Sequence, residues 1–156
     1  MSNSTIPPCF YRVSIKALIL DDTRTKFLIM KNASGPWGVP GGGLEHGAAP
    51  QEDLPREILE EMGLCTTWVA KYPSYFSAGQ SQTGGIWIVN VIYEATVEHL
   101  HFIPSDVCVD VRFVSADEAL ALDIFPDVRN IAEVFNPRLH QDKEDVILLK
   151  ENTYSK

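Results

Sequence analysis

The chain has 156 residues, 45% of them hydrophobic and 22% charged, which suits one domain with its own buried core. A formal net charge of −8 and a pI near 4.9, with no basic stripe, exclude a broad nucleic-acid-binding surface. Cys9, Cys65 and Cys108 are odd in number and far apart, so they read as ordinary thiols of a reducing compartment. No charged-then-apolar leader opens the sequence, and the longest apolar run, residues 86–93, is broken by Asn90 and too short to cross a bilayer. The expectation is a cytoplasmic protein without a membrane partner.

Residues 1–8 are polar with a proline pair and read as a flexible tail. Residues 10–20 alternate and then turn continuously apolar, which predicts a strand. A turn cluster at 21–25 and a second apolar run at 27–30 complete what reads as a β-hairpin. Lys31 ends that run, and residues 32–36 form a loop by composition. Trp37 reads as a buried aromatic beside a glycine loop, and His46 as a solvated loop side chain. Pro40-Gly41-Gly42-Gly43 then leads toward a helix.

The start of that helix is irregular. Ala49 is a poor cap, Pro50 suits a first helical position, and Pro55 removes an interior hydrogen bond. A late start near Asp53, or a local irregularity, is expected. Residues 65–77 read as extended, 78–85 as a flexible loop, and 86–97 as a strand covered on both faces. A connection at 98–109 precedes a short strand at 111–114. Ser115 and Glu118 have the spacing of a capping box for a helix at 116–122, and a further helix is predicted at 126–135. Residues 9–137 make a single domain, and 138–156 a C-terminal extension whose apolar run, 146–149, would dock on the body. Mixed strands with helices between and after them define an α/β layer protein.

The chemistry concentrates in Arg56-Glu57-Ile58-Leu59-Glu60-Glu61-Met62-Gly63. On a helix, Glu57, Glu60 and Glu61 share one arc of about 100°, and Ile58, Leu59 and Met62 share the opposite one. Such a carboxylate arc is either a solvated acidic face or a site for a hard divalent cation, for which oxygen ligands suit Mg²⁺ or Mn²⁺. The glycines before it let backbone approach a metal or an anion closely.

This stretch resembles the signature box of the Nudix hydrolases (MutT-like), G-x5-E-x7-R-E-U-x-E-E-x-G-U with U a bulky aliphatic. Gly42, Arg56, Glu57, Ile58, Glu60, Glu61, Gly63 and Leu64 match in spacing, and Trp37-Gly38-Val39-Pro40-Gly41-Gly42 is typical of the flank. Ala48 stands where the box has its first glutamate.

The resemblance implies an α/β/α sandwich around a central mixed sheet. It also implies divalent-metal-dependent hydrolysis of a pyrophosphate bond in a nucleoside diphosphate linked to another group, by water attack at phosphorus. Under it, Glu57, Glu60, Glu61 and the Gly41 carbonyl are metal ligands for Mg²⁺ or Mn²⁺. Arg56 braces Glu60 or meets phosphate, and Glu57 or a later carboxylate is the base. Lys31 and Gly42 would face the substrate, and Asp106 and Asp110 are the candidates for the later carboxylate, with Glu94 behind them. Tyr72, Tyr75, Trp87 and Phe125 are base-stacking candidates. Fifteen and sixteen residues past the box stand Gly79 and Gln80, which meet neither the ADP-ribose nor the dinucleoside-polyphosphate pattern of the family. The partner implied is a nucleotide-derived small molecule, and the protein a monomer or homodimer. Ala48 and the disturbed helix start leave a second reading, a non-catalytic nucleotide-sensing module of the same fold.

Overall fold

The computed structural model describes residues 10–81 and 84–141. In chain order they form β1 (Arg12–Ile19), β2 (Phe27–Asn32), β3 (Trp37–Gly38), α1 (Pro50–Met62), β4 (Thr66–Val69), β5 (Tyr75–Gln80), β6 (Trp87–Val97), β7 (Cys108–Val114), α2 (Ala116–Leu120) and α3 (Pro126–Val134), with a 3-10 turn at Pro137–His140.

The longest apolar strand takes the centre of the larger sheet. β6 pairs in parallel with β1, from Arg12↔Ile88 to Ile19↔Ala95. Its other edge is shared by two antiparallel neighbours, β5 against its first half and β4 against its second. The second sheet is antiparallel, in the order β3-β2-β7. Two apolar clusters fill the layers. Ile15, Ala17, Ile19, Leu28 and Met30 pack with Leu54, Ile58 and Met62 of α1. Leu18, Phe27, Ile29 and Ile92 pack with Val128 and Ile131 of α3. The result is the α/β/α sandwich with a mixed sheet that the sequence implies.

Four local expectations are corrected. The β1–β2 hairpin does not form: one bridge, Leu20↔Phe27, joins the two, and β2 pairs instead with β3 and β7. The corner between them is held by the Asp21 carboxylate, which accepts the Thr25 and Lys26 amides at 3.0 and 2.9 Å, and the strands part from it into different sheets. Residues 78–80, expected in a loop, continue β5, because Gly79 and Gln80 pair with Ile88 and Trp87. β7 begins at Cys108 rather than 111, through its pairing with Asn32.

The fourth correction is the box helix, which starts at Pro50 and runs through Pro55. An interior proline costs about 3 kcal/mol. Leu54, Ile58 and Met62 are completely buried, each stabilising by about 1.5–3 kcal/mol, so burial of that face outweighs the proline. Gly63 ends the helix as expected, its N–H donating to the Leu59 carbonyl at 2.9 Å. The capping box at Ser115 and Glu118 is present. The apolar run at 146–149 and the N-terminal tail lie outside the described residues.

Candidate active site

Helix α1 turns its carboxylates toward the glycine loop. Gly41 has a φ of 125°, and a side chain there would collide with the Ile15 carbonyl. At Gly42 a side chain would run into the Glu57 carboxylate, so helix and loop touch with no room between them. The Gly41 N–H donates to Glu61 Oε2 at 2.9 Å. Backbone bonds stitch the loop to β1, from Ile15 N–H to the Gly42 carbonyl and from Ala17 N–H to the Pro40 carbonyl, both at 2.9 Å.

Arg56 gathers three acids. Its guanidinium donates to Asp53 Oδ1 at 2.5 and 2.9 Å, to Glu57 Oε1 at 2.7 Å and to Glu60 Oε2 at 3.0 Å. Asp53 is buried, and its other oxygen accepts the Glu45 N–H at 2.9 Å, tying the loop to the helix. Burial alone would raise the Asp53 pKa, but the Glu45 amide and Arg56 outweigh it and hold the carboxyl below its usual range.

Glu61 differs from its neighbours. Desolvation pushes its pKa up to about 7, Glu57 and Asp127 push the same way, and the Gly41 amide and Lys16 offset this only in part. Lys16, on β1, donates to the Gly41 carbonyl at 2.9 Å and the Val39 carbonyl at 3.3 Å, and lies 3.7 Å from Asp127.

Among the described residues no three acidic, histidine or cysteine groups stand ready-clustered for a metal ion. The arrangement nevertheless fits a hard divalent cation chemically. The donors that face the loop are all oxygens, and Glu61 is desolvated beside two further carboxylates, a repulsion that a cation would relieve.

Glu61 and Gly41 line a cleft of about 480 Å³ between the sheets. Its other walls carry Lys16, Asn90, Phe125 and Asp127. Of the residues named from the sequence, Gly41 and Glu61 line the cleft, Gly42 lies against Glu57 beside them, and Arg56 links Glu57 to the exposed Glu60. Lys31, Asp106 and Asp110 do not line the cleft. Lys31 lies over the buried Trp37 ring at 5.7 Å, with Arg112 over the same ring at 4.5 Å. Asp110, opposite Lys31, turns back to accept the Val111 N–H, and Asp106 is exposed. Glu94 points into the interior, where it meets Arg24 and His140. Of the stacking candidates, Phe125 lines the cleft, while Tyr72, Tyr75 and Trp87 do not.

Sequence reasoning passed over Lys16, Asp53 and Asp127. Lys16 carried a signal, a charge inside the apolar half of the strand, between Ile15 and Ala17, and Asp53 stands at i−3 from Arg56. Asp127 carried none beyond its place at the start of a helix.

Glycine loop, acidic helix and interlayer cleft together define a small α/β protein built to present carboxylates at a ligand-sized opening. The NUDIX domain family model matches residues 10–135. Solved structures share the fold. A MutT NUDIX hydrolase from Burkholderia pseudomallei is 21% identical, with 82% of this chain and all of that one covered and a TM-score of 0.68. The NUDIX domain of Shewanella oneidensis NrtR, complexed with ADP ribose, is 18% identical over 83% of this chain and 90% of that one, with a TM-score of 0.62. An ADP-ribose pyrophosphatase from Streptococcus suis is 19% identical over 86% and 93%, with a TM-score of 0.58. No curated protein sequence matches. The chain belongs to the NUDIX domain family, a class of pyrophosphohydrolases that acts on nucleoside diphosphate derivatives and generally uses divalent metals.

Proposed function

We propose that this protein cleaves a pyrophosphate bond in a nucleoside diphosphate linked to another group, by metal-dependent attack of water at phosphorus. The observation that carries the reading is the delivery of Glu57 and Glu61 onto the glycine loop at the wall of the cleft. Glu57, Glu60, Glu61 and the Gly41 carbonyl would hold Mg²⁺ or Mn²⁺, which supplies charge neutralisation at the phosphates and a more acidic water. Arg56 fixes the rotamers of Glu57 and Glu60. Glu57 is the candidate base, and Phe125 gives the cleft an aromatic wall for a base. Gly42 offers close backbone approach to phosphate, while Lys31, Asp106 and Asp110 would meet substrate parts that extend beyond the cleft. The enzyme would act in the cytoplasm, as a monomer or homodimer, through the single domain 9–137. Among the described residues no helix is long and apolar enough to cross a membrane.

A sensing module is the second reading. It is favoured by Ala48, by the engagement of Glu57 and Glu60 with Arg56, and by the likeness to a NUDIX domain that holds ADP ribose. Phosphate release from nucleoside triphosphates, ADP-ribose, nucleotide sugars and dinucleoside polyphosphates, with Mg²⁺, Mn²⁺ or chelator, separates the two. Turnover that needs metal and is lost in Glu60→Gln/Glu61→Gln is expected. Binding without turnover on the whole panel would establish the sensor instead.

A further inference from the structure

Lys16 sits where a metal-binding loop needs its own acceptor free. The loop offers four successive carbonyls to β1, and the strand takes all of them. The backbone amides of Ala17 and Ile15 take Pro40 and Gly42, and the Lys16 ammonium takes Val39 and Gly41. The Gly41 contact is the shorter of the two, at 2.9 Å. The lysine side chain is 16% exposed and Asp127 is 12% exposed, so the ammonium is largely held by protein groups. Asp127 Oδ2 waits 3.7 Å away on the cleft side, at the start of α3. That gap is longer than a good charge-assisted hydrogen bond, yet a modest turn of a flexible four-carbon stem closes it.

We propose that Lys16 is a resident cation that a metal at the Gly41 carbonyl must displace onto Asp127. The inference rests on the reading above that this carbonyl is a metal ligand. An ammonium and a divalent ion cannot share one carbonyl at hydrogen-bond and coordination distances without strong like-charge repulsion. Metal binding and the closing of the Lys16–Asp127 pair are then one event, and the lysine sets the metal concentration at which the site fills. Because Asp127 lines the cleft, the same event changes the charge pattern facing the substrate.

A double-mutant cycle on Mn²⁺ binding tests this, with free Mn²⁺ followed by electron paramagnetic resonance in the absence of substrate. Thermal unfolding in chelator reports the fold of each variant. Lys16→Met is expected to tighten Mn²⁺ binding about tenfold, since a like charge at the site is removed. Lys16→Gln keeps a donor without the charge and should do the same, which guards against a folding defect in one variant. Asp127→Asn is expected to weaken binding several-fold more in the Lys16 protein, where the ammonium loses its second position, than in the Lys16→Met background, where only the direct attraction of Asp127 for the metal is lost. A simple sum of charges predicts the same Asp127→Asn cost in both backgrounds, and that result would overturn the proposal. Unchanged or weaker binding in both Lys16 variants would overturn it too. Folded proteins of which none binds Mn²⁺ would instead remove the metal reading on which it rests.

Discussion

Arg56 is the side chain on which the acidic face depends. Its contacts with the exposed Glu60 resemble a surface pair and contribute little to stability. The contact with buried Asp53 is different, because Asp53 also holds the Glu45 amide of the loop. If Glu57 binds metal as proposed, Asp53→Asn should free the guanidinium, loosen Glu57 and lower kcat/KM about tenfold. A steady-state assay at saturating and limiting Mn²⁺ checks it; an unchanged metal requirement would assign Asp53 to folding alone. The mutual placement of Arg56, Glu57, Glu60 and Glu61 was legible in the sequence, because neighbours within two turns of one helix settle their own geometry. Lys31, Asp106 and Asp110 were chosen by position along the chain; Lys31 and Asp110 take their directions from strand register and Asp106 from the loop before β7, and no local spacing encodes either.

Helix α1 shows burial overriding propensity. Its N-cap lacks a side-chain bond and Pro55 lies inside it, yet the helix spans Pro50–Met62. The expectation of a late start weighed the proline correctly and omitted the depth to which Leu54 is buried. Replacing Pro55 with alanine restores an N–H toward the Gln51 carbonyl and removes a steric clash, partly offset by a more flexible unfolded chain. A net gain of about 1–2 kcal/mol in urea unfolding is expected. A loss of stability would mean that the proline ring itself is required for packing at this position. The capping box of α2, by contrast, was readable because Ser115 and Glu118 satisfy each other within one turn.

At the scale of the molecule, one buried network ties distant segments together. Glu94 on β6 meets Arg24, from the corner after β1, at 2.5 Å and His140 of the C-terminal turn at 3.5 Å, and Tyr75 on β5 meets His140 at 2.5 Å. Burial would raise the Glu94 pKa, but His140 and Arg24 outweigh it and lower it from the usual 4.5. A depressed carboxylate contributes stability that is complete above its unfolded value and is lost as pH falls through the folded one. Glu94→Gln should cost about 3–5 kcal/mol at neutral pH, since it strands Arg24 in a largely buried position. The gap to the unaltered protein should narrow below pH 4.5; a gap independent of pH in denaturant titrations would show that the carboxylate's charge does not stabilise the fold. By itself the sequence determined the family box, the amphipathic box helix, the central strand and the helices after it. Each of these rests on periodicity or spacing within a few turns of chain. Only the tertiary structure decided that β1 pairs with β6 rather than β2, that Glu94 turns inward, and that Lys16 lies on the Gly41 carbonyl. Those contacts join residues 25 or more positions apart, and their energy comes from burial and pairing that exist once the sheets have closed on each other.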